Sequence, residues 1–116
     1  MNNIGKILQL TMMWYDYVLR DHHKDCDCHW YLQEVWSYGE LPKYHIQHNG
    51  YVYDSSNSHL YKTKSKAERA LVKEIKKAFL VEYNWCCQVI NDKGYDEIQR
   101  KQAKWLIERY EDIKAI

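Results

Sequence analysis

Apolar residues recur at helical spacing at the beginning of the chain and again in its second half. Over residues 3–22 they return every three or four positions, as on one face of an α-helix. A second stripe runs from residue 65 to residue 90, and a third follows the polar residues 91–94. Because a short turn joins these two stripes, we predict an antiparallel helical hairpin over residues 65–114.

The pattern changes to strict alternation between these helical regions. Trp30 and Leu32, followed by Trp36 and Tyr38, share one side of a predicted first strand. Alternating runs on both sides of an Asn-Gly pair then predict a β-hairpin. We therefore expect a three-stranded antiparallel meander over residues 28–54. The predicted fold is a single α+β domain over residues 1–116 with the order α-β-β-β-α-α, in which an N-terminal helix and a C-terminal helical hairpin flank the sheet.

The Asn49-Gly50 pair also predicts a register. A two-residue turn at this position pairs His48 with Tyr51 and Ile46 with Tyr53. His45 and His48 then lie on opposite faces, because successive side chains of a strand alternate.

Two capping signals mark the beginnings of the later helices. Ser65 and Glu68 have the spacing of a capping box, and Thr63 is an alternative cap two residues earlier. Asp96 is the expected cap of the last helix.

The second predicted helix is apolar on nearly all sides over residues 78–90. Such a helix has to be covered from several directions. Self-association through the helical hairpin is one way to cover it, and complete burial within one chain is the other.

The aromatic residues are unusual in kind. Eleven are Tyr and five are Trp, whereas Phe79 is the only Phe, so nearly every large ring carries a polar group. Rings of this type are enriched at protein interfaces. No apolar run approaches the length that crosses a bilayer. The candidate aromatic binding residues lie in the sheet segment: Trp30, Trp36, Tyr38, Tyr51 and Tyr53.

Charge is distributed unevenly although the formal net charge is only +1. Residues 26–61 contain one cation and four anions, which gives a net charge of −3, whereas residues 62–77 contain seven cations and two anions, a net charge of +5. The candidate anion-binding residues in the basic block are Lys62, Lys64, Lys66 and Arg69. The alternative is a solvated helix face supported by spaced Glu partners.

The entry into the second helix carries two family resemblances. Tyr61, Thr63, Ala67 and Ala70 spell an aromatic-x-Thr-x-x-x-Ala-x-x-Ala entry after the sheet. Over about residues 28–80 this pattern resembles the arm-type DNA-binding domains of tyrosine integrases and the related AP2 fold, which implies DNA contacts from the exposed sheet face. The α-β-β-β-α order is also similar to a double-stranded RNA-binding domain, which implies phosphate contacts at the start of the second helix.

Candidate metal ligands are concentrated in the segment after the first helix. His22, Cys26, Cys28 and His29 offer imidazole and thiolate groups, which zinc prefers. A Cys-x-Cys pair matches the usual zinc spacing only weakly, so we expect no cofactor and keep zinc as the alternative. The other interpretation is a solvated helix end next to small packing cysteines.

Candidate catalytic groups lie near the end of the sheet. His45, His48 and His59 are close in sequence to Asp54 and to two serines at positions 55 and 58, so a hydrolytic or nuclease-like arrangement is an alternative. Nothing in the sequence fixes its geometry, and Ser, Asn and Asp after a strand are typical of an ordinary loop. We therefore expect no enzymatic activity.

The cysteines and the N-terminal residues bear on the compartment. The cysteines form two close couples, Cys26 with Cys28 and Cys86 with Cys87, which are poor material for disulfides. The first residues lack the pattern of a secretory signal. We expect reduced thiols and a cytosolic location, the host cytosol if the protein is viral.

These observations favour a small non-enzymatic binding protein that uses an aromatic-rich surface. Small single-domain binders of this kind are frequent among viral and mobile-element proteins that inhibit or sequester a host factor. The expected partner is a protein or a small anionic ligand such as a signalling nucleotide, and a homo-oligomer is expected. The alternative function is nucleic-acid binding by the basic start of the second helix.

Overall fold

The fold was obtained as a computed structural model, which describes residues 3–17, 30–48, 51–52 and 59–116. In this structure the chain is an α+β protein. Its elements, in chain order, are α1 (Asn3–Tyr17), β1 (Trp30–Val35), β2 (Lys43–His48), β3 (Tyr51–Val52), α2 (Lys64–Asn91) and α3 (Glu97–Ala115).

Helix α1 follows the predicted apolar stripe. Ile7 and Trp14, two helical turns apart, are its buried residues, and Ile4 and Leu8 pack against the same core. The prediction extended this helix to residue 22, and residues 18–22 lie outside the described residues.

Strands β1 and β2 form an antiparallel ladder of six residue pairs, from Trp30 opposite His48 to Val35 opposite Lys43. Period-two alternation places Leu32 and Ile46 on the face that contacts α2, and Ile46 is buried. Glu34 and Tyr44 pair further along the same face.

The other edge of β2 is paired at both of its ends. At one end β3 contributes two residues, with Tyr51 opposite His48 and Val52 opposite Gln47. At the other end Tyr44 and Tyr61 exchange two backbone hydrogen bonds of 2.9 Å. The predicted pairing of His48 with Tyr51 is confirmed, whereas its continuation to Tyr53 lies outside the described residues.

Helix α2 begins at a threonine cap. The Thr63 side-chain oxygen accepts a hydrogen bond from the backbone N–H of Lys66, so the cap is Thr63 and not Ser65, the other residue that the spacing allowed. The helix continues unbroken for 28 residues, a length of about 42 Å. Its buried stripe consists of Ala67, Leu71, Ile75, Phe79, Cys86 and Val89.

Helix α3 begins with the predicted cap at Asp96. The Asp96 carboxylate accepts from the backbone N–H of Gln99, and the Gln99 side chain accepts from the backbone N–H of Asp96, which completes a capping box. The helix runs antiparallel to α2, as predicted, because Tyr95 just before α3 contacts Trp85, whereas Lys114 near the end of α3 accepts a hydrogen bond at its carbonyl oxygen from Nζ of Lys76, nine residues before Trp85 in α2.

The core lies where the three helices and the sheet meet. Its fully buried side chains come mainly from α1, α2 and α3, and Trp30 and Ile46 add the contribution of the strands. Trp14 of α1 stacks on Trp105 of α3 at 5.8 Å between ring centroids, and the Arg109 guanidinium lies 4.1 Å from the centre of the Trp105 ring. Aromatic stacking therefore contributes to the contact between α1 and α3, beside the aliphatic side chains of α1.

Candidate binding surfaces

The connection between β1 and β2 places three large apolar side chains in solvent. We call this connection, residues 36–42, the hairpin tip. Trp36 is 67% exposed, Leu41 is 85% exposed and Tyr38 is fully exposed at 106% of its reference area. A single exposed apolar residue is ordinary on a protein surface, but three within seven positions form a patch of the kind that marks an interaction site.

The backbone of the hairpin tip is held by a defined turn. The backbone N–H of Glu40 donates to the Ser37 carbonyl oxygen at 3.1 Å, and Gly39 has a φ of +75°. This left-handed conformation suits glycine because a Cβ atom would strain it. The Trp36 indole N–H donates to a Glu34 carboxylate oxygen at 3.2 Å, which orients this ring. The tip therefore presents its rings on an ordered loop.

The position of these two rings differs from the sequence prediction. Trp36 and Tyr38 were expected to share one face of the first strand with Trp30 and Leu32, but β1 ends at Val35. The pair of Val35 with Lys43 is the last of the ladder, and the turn around Gly39 follows it. Early closure of the turn therefore moves both rings off the sheet and into solvent.

Trp30 is a core residue, which corrects its assignment to a binding surface. It is only 8% exposed, and its ring stacks on His48 at 4.1 Å between centroids. The first position of β1 faces the helices, so the ring is covered from that side. For Tyr51 the structure describes the backbone pairing alone, and Tyr53 lies outside the described residues.

The four predicted cations at the beginning of α2 are all exposed. We call them the basic entry: Lys62, Lys64, Lys66 and Arg69. Among the described residues, none of them forms an ion pair, whereas Lys77 pairs with Glu74 further along the helix. The alternative interpretation, a solvated helix face supported by Glu partners, therefore fits the later lysines better than the basic entry.

The basic entry and the hairpin tip lie at the same end of the sheet. The Tyr44–Tyr61 bridge is antiparallel, so the chain after Tyr61 runs alongside the residues that precede Tyr44. Lys62 consequently follows the bridge on the side of Lys43 and the tip. The sequence separates these two features by about twenty positions, and only strand pairing brings them together.

Carboxylates flank the aromatic rings of the tip. Glu34 and Glu40 are both exposed, one on each side of Trp36 in sequence. The tip is thus apolar with an acidic border, and the neighbouring basic entry has the opposite sign. This end of the molecule can present an apolar centre surrounded by charges, which is the usual arrangement of a protein interface.

The candidate metal ligands and most of the candidate catalytic groups cannot be placed. His22, Cys26, Cys28 and His29 lie outside the described residues, as do residues 54, 55 and 58. Among the residues that are described, no three His, Cys, Asp or Glu side chains form a group able to hold a metal ion.

The described histidines have structural contacts. The ring nitrogen Nδ1 of His45 lies 3.0 Å from the carbonyl oxygen of His59, and His48 stacks on Trp30. Since Gln33 is opposite His45 and Trp30 is opposite His48, the two rings lie on opposite faces of the sheet, as predicted. They do not form one site.

The C-terminal half of α2 exposes apolar side chains away from its core stripe. We call these the α2 flank: Leu80, Val81 and Trp85, which are 45%, 68% and 38% exposed. This is the half of the helix that the sequence described as apolar on nearly all sides. Intramolecular packing therefore covers the described part of this helix only incompletely.

Two free thiols lie side by side near the end of α2. Cys86 is completely buried, and burial, assisted by the charge of Glu82, raises the pKa of its thiol to about 12. Cys87 is only partly buried, and a hydrogen bond with its thiol holds the pKa of Tyr83 above the usual value for a phenol.

A small cavity of about 90 Å³ lies between α1, α2 and the sheet. We call it the central cavity. Trp14, Trp30 and Phe79 contribute aromatic walls, and Thr11, His48 and Glu82 contribute polar groups. Trp14 and Phe79 lie within the apolar stripes of the first and second predicted helices, but no pattern in the sequence shows that their packing leaves a space.

Comparison of the chain with protein-family models, curated proteins and solved structures found no match. Of the helices that the structure describes, none combines the length and apolarity needed to cross a membrane.

Proposed function

We propose that this chain is a small non-enzymatic binding protein that inserts its hairpin tip into an apolar groove of a partner protein and thereby inhibits or sequesters that partner. The observation that supports this function is the exposure of Trp36, Tyr38 and Leu41 within one ordered loop. Large rings at the centre of a contact are the residues that contribute most to protein binding. The role agrees with a viral or mobile-element accessory protein acting in the host cytosol.

The charges around the tip favour a protein groove with basic groups at its rim. Glu34 and Glu40 would lie next to such groups, whereas a nucleic-acid backbone would place phosphates beside two carboxylates. Leu41 points to the same choice, because an aliphatic side chain contributes to an apolar groove but offers no ring for base stacking.

This proposal predicts that the double variant Trp36→Ala/Tyr38→Ala loses its partner. Wild type and variant would be immobilised and exposed to lysate of the cell in which the protein is made, and retained proteins would be quantified by mass spectrometry. Affinity for the purified partner should fall at least about thirtyfold, since a single hot-spot ring contributes about 2 kcal/mol or more. The folded state should be unaffected, because both side chains are exposed.

Ile98→Ala is the matched control, because Ile98 is 68% exposed, as Trp36 is at 67%, but lies on α3. The control should retain the partner. Equal retention of every captured protein by the double variant and by wild type would contradict the proposal.

The alternative function is nucleic-acid binding by the basic entry, supported by four exposed cations that lack ion pairs among the described residues. Lys64→Glu/Lys66→Glu distinguishes the two functions. If the hairpin tip binds the partner, this charge reversal leaves the affinity for the partner within a few fold of the wild-type value. If the basic entry carries it, duplex RNA or DNA binds to wild type with a steep dependence on salt, and the reversal abolishes that binding.

We further propose that chain beyond the described pairs of β3 completes the sheet as a three-stranded meander.

We also propose that a second copy of the chain covers the α2 flank. Val81→Glu should shift the protein from dimer or higher oligomer to monomer in sedimentation equilibrium, because a carboxylate would be buried in the contact. Ile98→Glu, which has the same 68% exposure, is the control and should leave the oligomer unchanged. A monomeric wild type would exclude this contact.

A further inference from the structure

Strand β1 forms one edge of the sheet, and in the described part of the chain no strand pairs with its outer side. The sheet order is β1-β2-β3, so β2 pairs on both sides whereas β1 pairs on one. Helix α2 contacts both β1 and β2, as a helix lying on the face of the sheet does, and Tyr31, Gln33 and Glu34 are exposed. The outer edge of β1 is therefore open to solvent.

The pairing of β2 determines which backbone groups of β1 point to this edge. The N–H and C=O of Tyr44 both bond to Tyr61, on the side of β2 away from β1. Tyr44 and Glu34 are therefore a non-hydrogen-bonded pair of the antiparallel ladder, so the backbone groups of Glu34 point away from β2. Because this direction alternates along a strand, Leu32 has the orientation of Glu34, whereas Gln33 bonds to β2.

The backbone N–H and C=O groups of Leu32 and Glu34 are thus directed to the open edge. Among the described residues, no backbone hydrogen bond joins either residue to chain outside the ladder. Such an unpaired row is a template for another strand, and proteins usually protect it with proline, lysine or a bulge. Strand β1 has none of these protections: its sequence is Trp-Tyr-Leu-Gln-Glu-Val, and its pairs with β2 are consecutive.

Charge and position indicate what occupies the edge. Residues 26–61 have a net charge of −3, so a second copy would bring two segments of the same sign together. A basic segment of another protein would instead place a cation beside Glu34. The edge also continues directly into the hairpin tip, because β1 ends at Val35 and Trp36 follows it. A partner that receives the tip therefore has chain within reach of the edge.

We propose that the outer edge of β1 binds an extended segment of the partner protein by strand addition, with a lysine or arginine opposite Glu34 and an apolar residue opposite Leu32. In antiparallel pairing, Leu32 and Glu34 each exchange two backbone hydrogen bonds with the added strand. Leu32 packs partly against the core, so an apolar side chain opposite it extends that face. The identity of the partner rests on the proposed function, whereas the geometry of the edge does not.

The probe is the peptide acetyl-Thr-Lys-Thr-Val-Thr-amide, in which Lys falls opposite Glu34 and Val opposite Leu32. In ¹⁵N-labelled wild type, the backbone amide signals of Leu32 and Glu34 should move downfield at millimolar peptide, because their N–H groups acquire acceptors. The amide signal of Gln33, which already bonds to β2, should move much less. This alternation along β1 is the signature of strand addition.

Two methylated peptides test the hydrogen bonds without changing the protein. N-methylation of Lys and Val removes the two peptide N–H groups that face β1, whereas N-methylation of the second and third threonines removes two that face away. The first peptide should bind at least about tenfold more weakly than the unmodified peptide, which is the effect of two net hydrogen bonds. The second should bind within a few fold of it.

The variant Glu34→Gln tests the charge. Wild type should prefer the Lys peptide to the same peptide with Glu in place of Lys, and Glu34→Gln should reduce this preference by about two- to fivefold, the range of an exposed ion pair. Glu40→Gln is the matched control, because it removes another exposed carboxylate that lies in the hairpin tip. The control should keep the preference.

The proposal is overturned if the Leu32 and Glu34 signals of folded wild type do not respond to the unmodified peptide, or if the two methylated peptides bind equally. It is also overturned if these amides become protected from hydrogen exchange as the concentration of wild type alone rises, because a second copy then occupies the edge.

The hairpin tip is tested separately. Trp36→Ala/Tyr38→Ala keeps the edge of β1 and should bind the peptide as wild type does. Retention of the partner by this double variant contradicts the proposed function, whereas an unresponsive edge contradicts only strand addition.

Discussion

Replacing Ile113 with alanine is expected to lower the free energy of unfolding by about 2–5 kcal/mol, the usual cost of removing a large aliphatic side chain from a core. Ile113 is 1% exposed and belongs to the main hydrophobic cluster, near the end of α3. Loss of three carbon atoms removes apolar burial and leaves a space that the neighbouring helices can fill only in part. Urea unfolding followed by circular dichroism measures the change.

Ile98→Ala provides the same chemical change at the other end of the same helix. Ile98 is the second residue of α3 and is 68% exposed, so its replacement should change the free energy of unfolding by no more than about 0.5 kcal/mol. Both substitutions remove the same three carbon atoms, so the difference between them reports mainly the difference in burial. Similar small effects at both positions would mean that α3 does not dock through the face containing Ile113.

The two adjacent cysteines are expected to differ strongly in reactivity. With a pKa of about 12, Cys86 holds only about one thiolate in ten thousand molecules at pH 8, whereas an ordinary thiol is substantially ionised there. Burial also blocks access of the reagent to the sulfur atom. Iodoacetamide should therefore modify Cys87 roughly a thousandfold faster than Cys86 in the folded protein.

Mass spectrometry of the alkylated protein locates the label at each cysteine, and the variant Cys87→Ser removes the fast thiol next to Cys86. In urea both positions should react at similar rates, because unfolding removes the burial that raises the pKa. Equal rates at the two sulfur atoms in the absence of urea would show that the end of α2 is not packed as described.

The same thiol makes stability depend on pH in the alkaline range. In the unfolded chain the Cys86 thiol has a pKa of about 8.5, whereas in the folded protein burial raises that pKa to about 12. Its contribution to the free energy of unfolding is therefore complete below about 8.5 and is lost as the pH rises toward 12. As the pH rises from about 8.5 toward 12, the free energy of unfolding of wild type should therefore fall relative to that of Cys86→Ala.

The local structure follows from the sequence to a large extent. The apolar stripes predicted the bounds of α2 and α3 closely, because helical periodicity reflects which face of a helix is buried. Asp96 was identifiable because an aspartate three residues before a glutamine has the chemistry of a capping box. For α2 two caps were possible, and Thr63 is the one that accepts the backbone hydrogen bond. The choice depends on the backbone geometry of that turn, which the sequence alone does not contain.

The candidate surface was predictable in composition but not in position. The sequence indicated Trp36, Tyr38 and the basic entry, whereas it gave no signal for Leu41 as their neighbour at the tip. Trp30 and Trp36 are the same residue type, six positions apart, and alternation placed both on one strand face. They separate because the turn around Gly39 ends the ladder at Val35, which leaves one ring buried and the other in solvent.

What the sequence determined by itself is therefore the set of elements and their faces, because periodicity, capping and turn chemistry act over a few neighbouring residues. The tertiary structure decided which faces meet. The antiparallel Tyr44–Tyr61 bridge brings the basic entry to the hairpin tip, and the packing of α1 and α2 on the sheet leaves the central cavity beside Trp14. Both results depend on contacts between residues far apart in the chain, where the shapes of whole elements determine the fit.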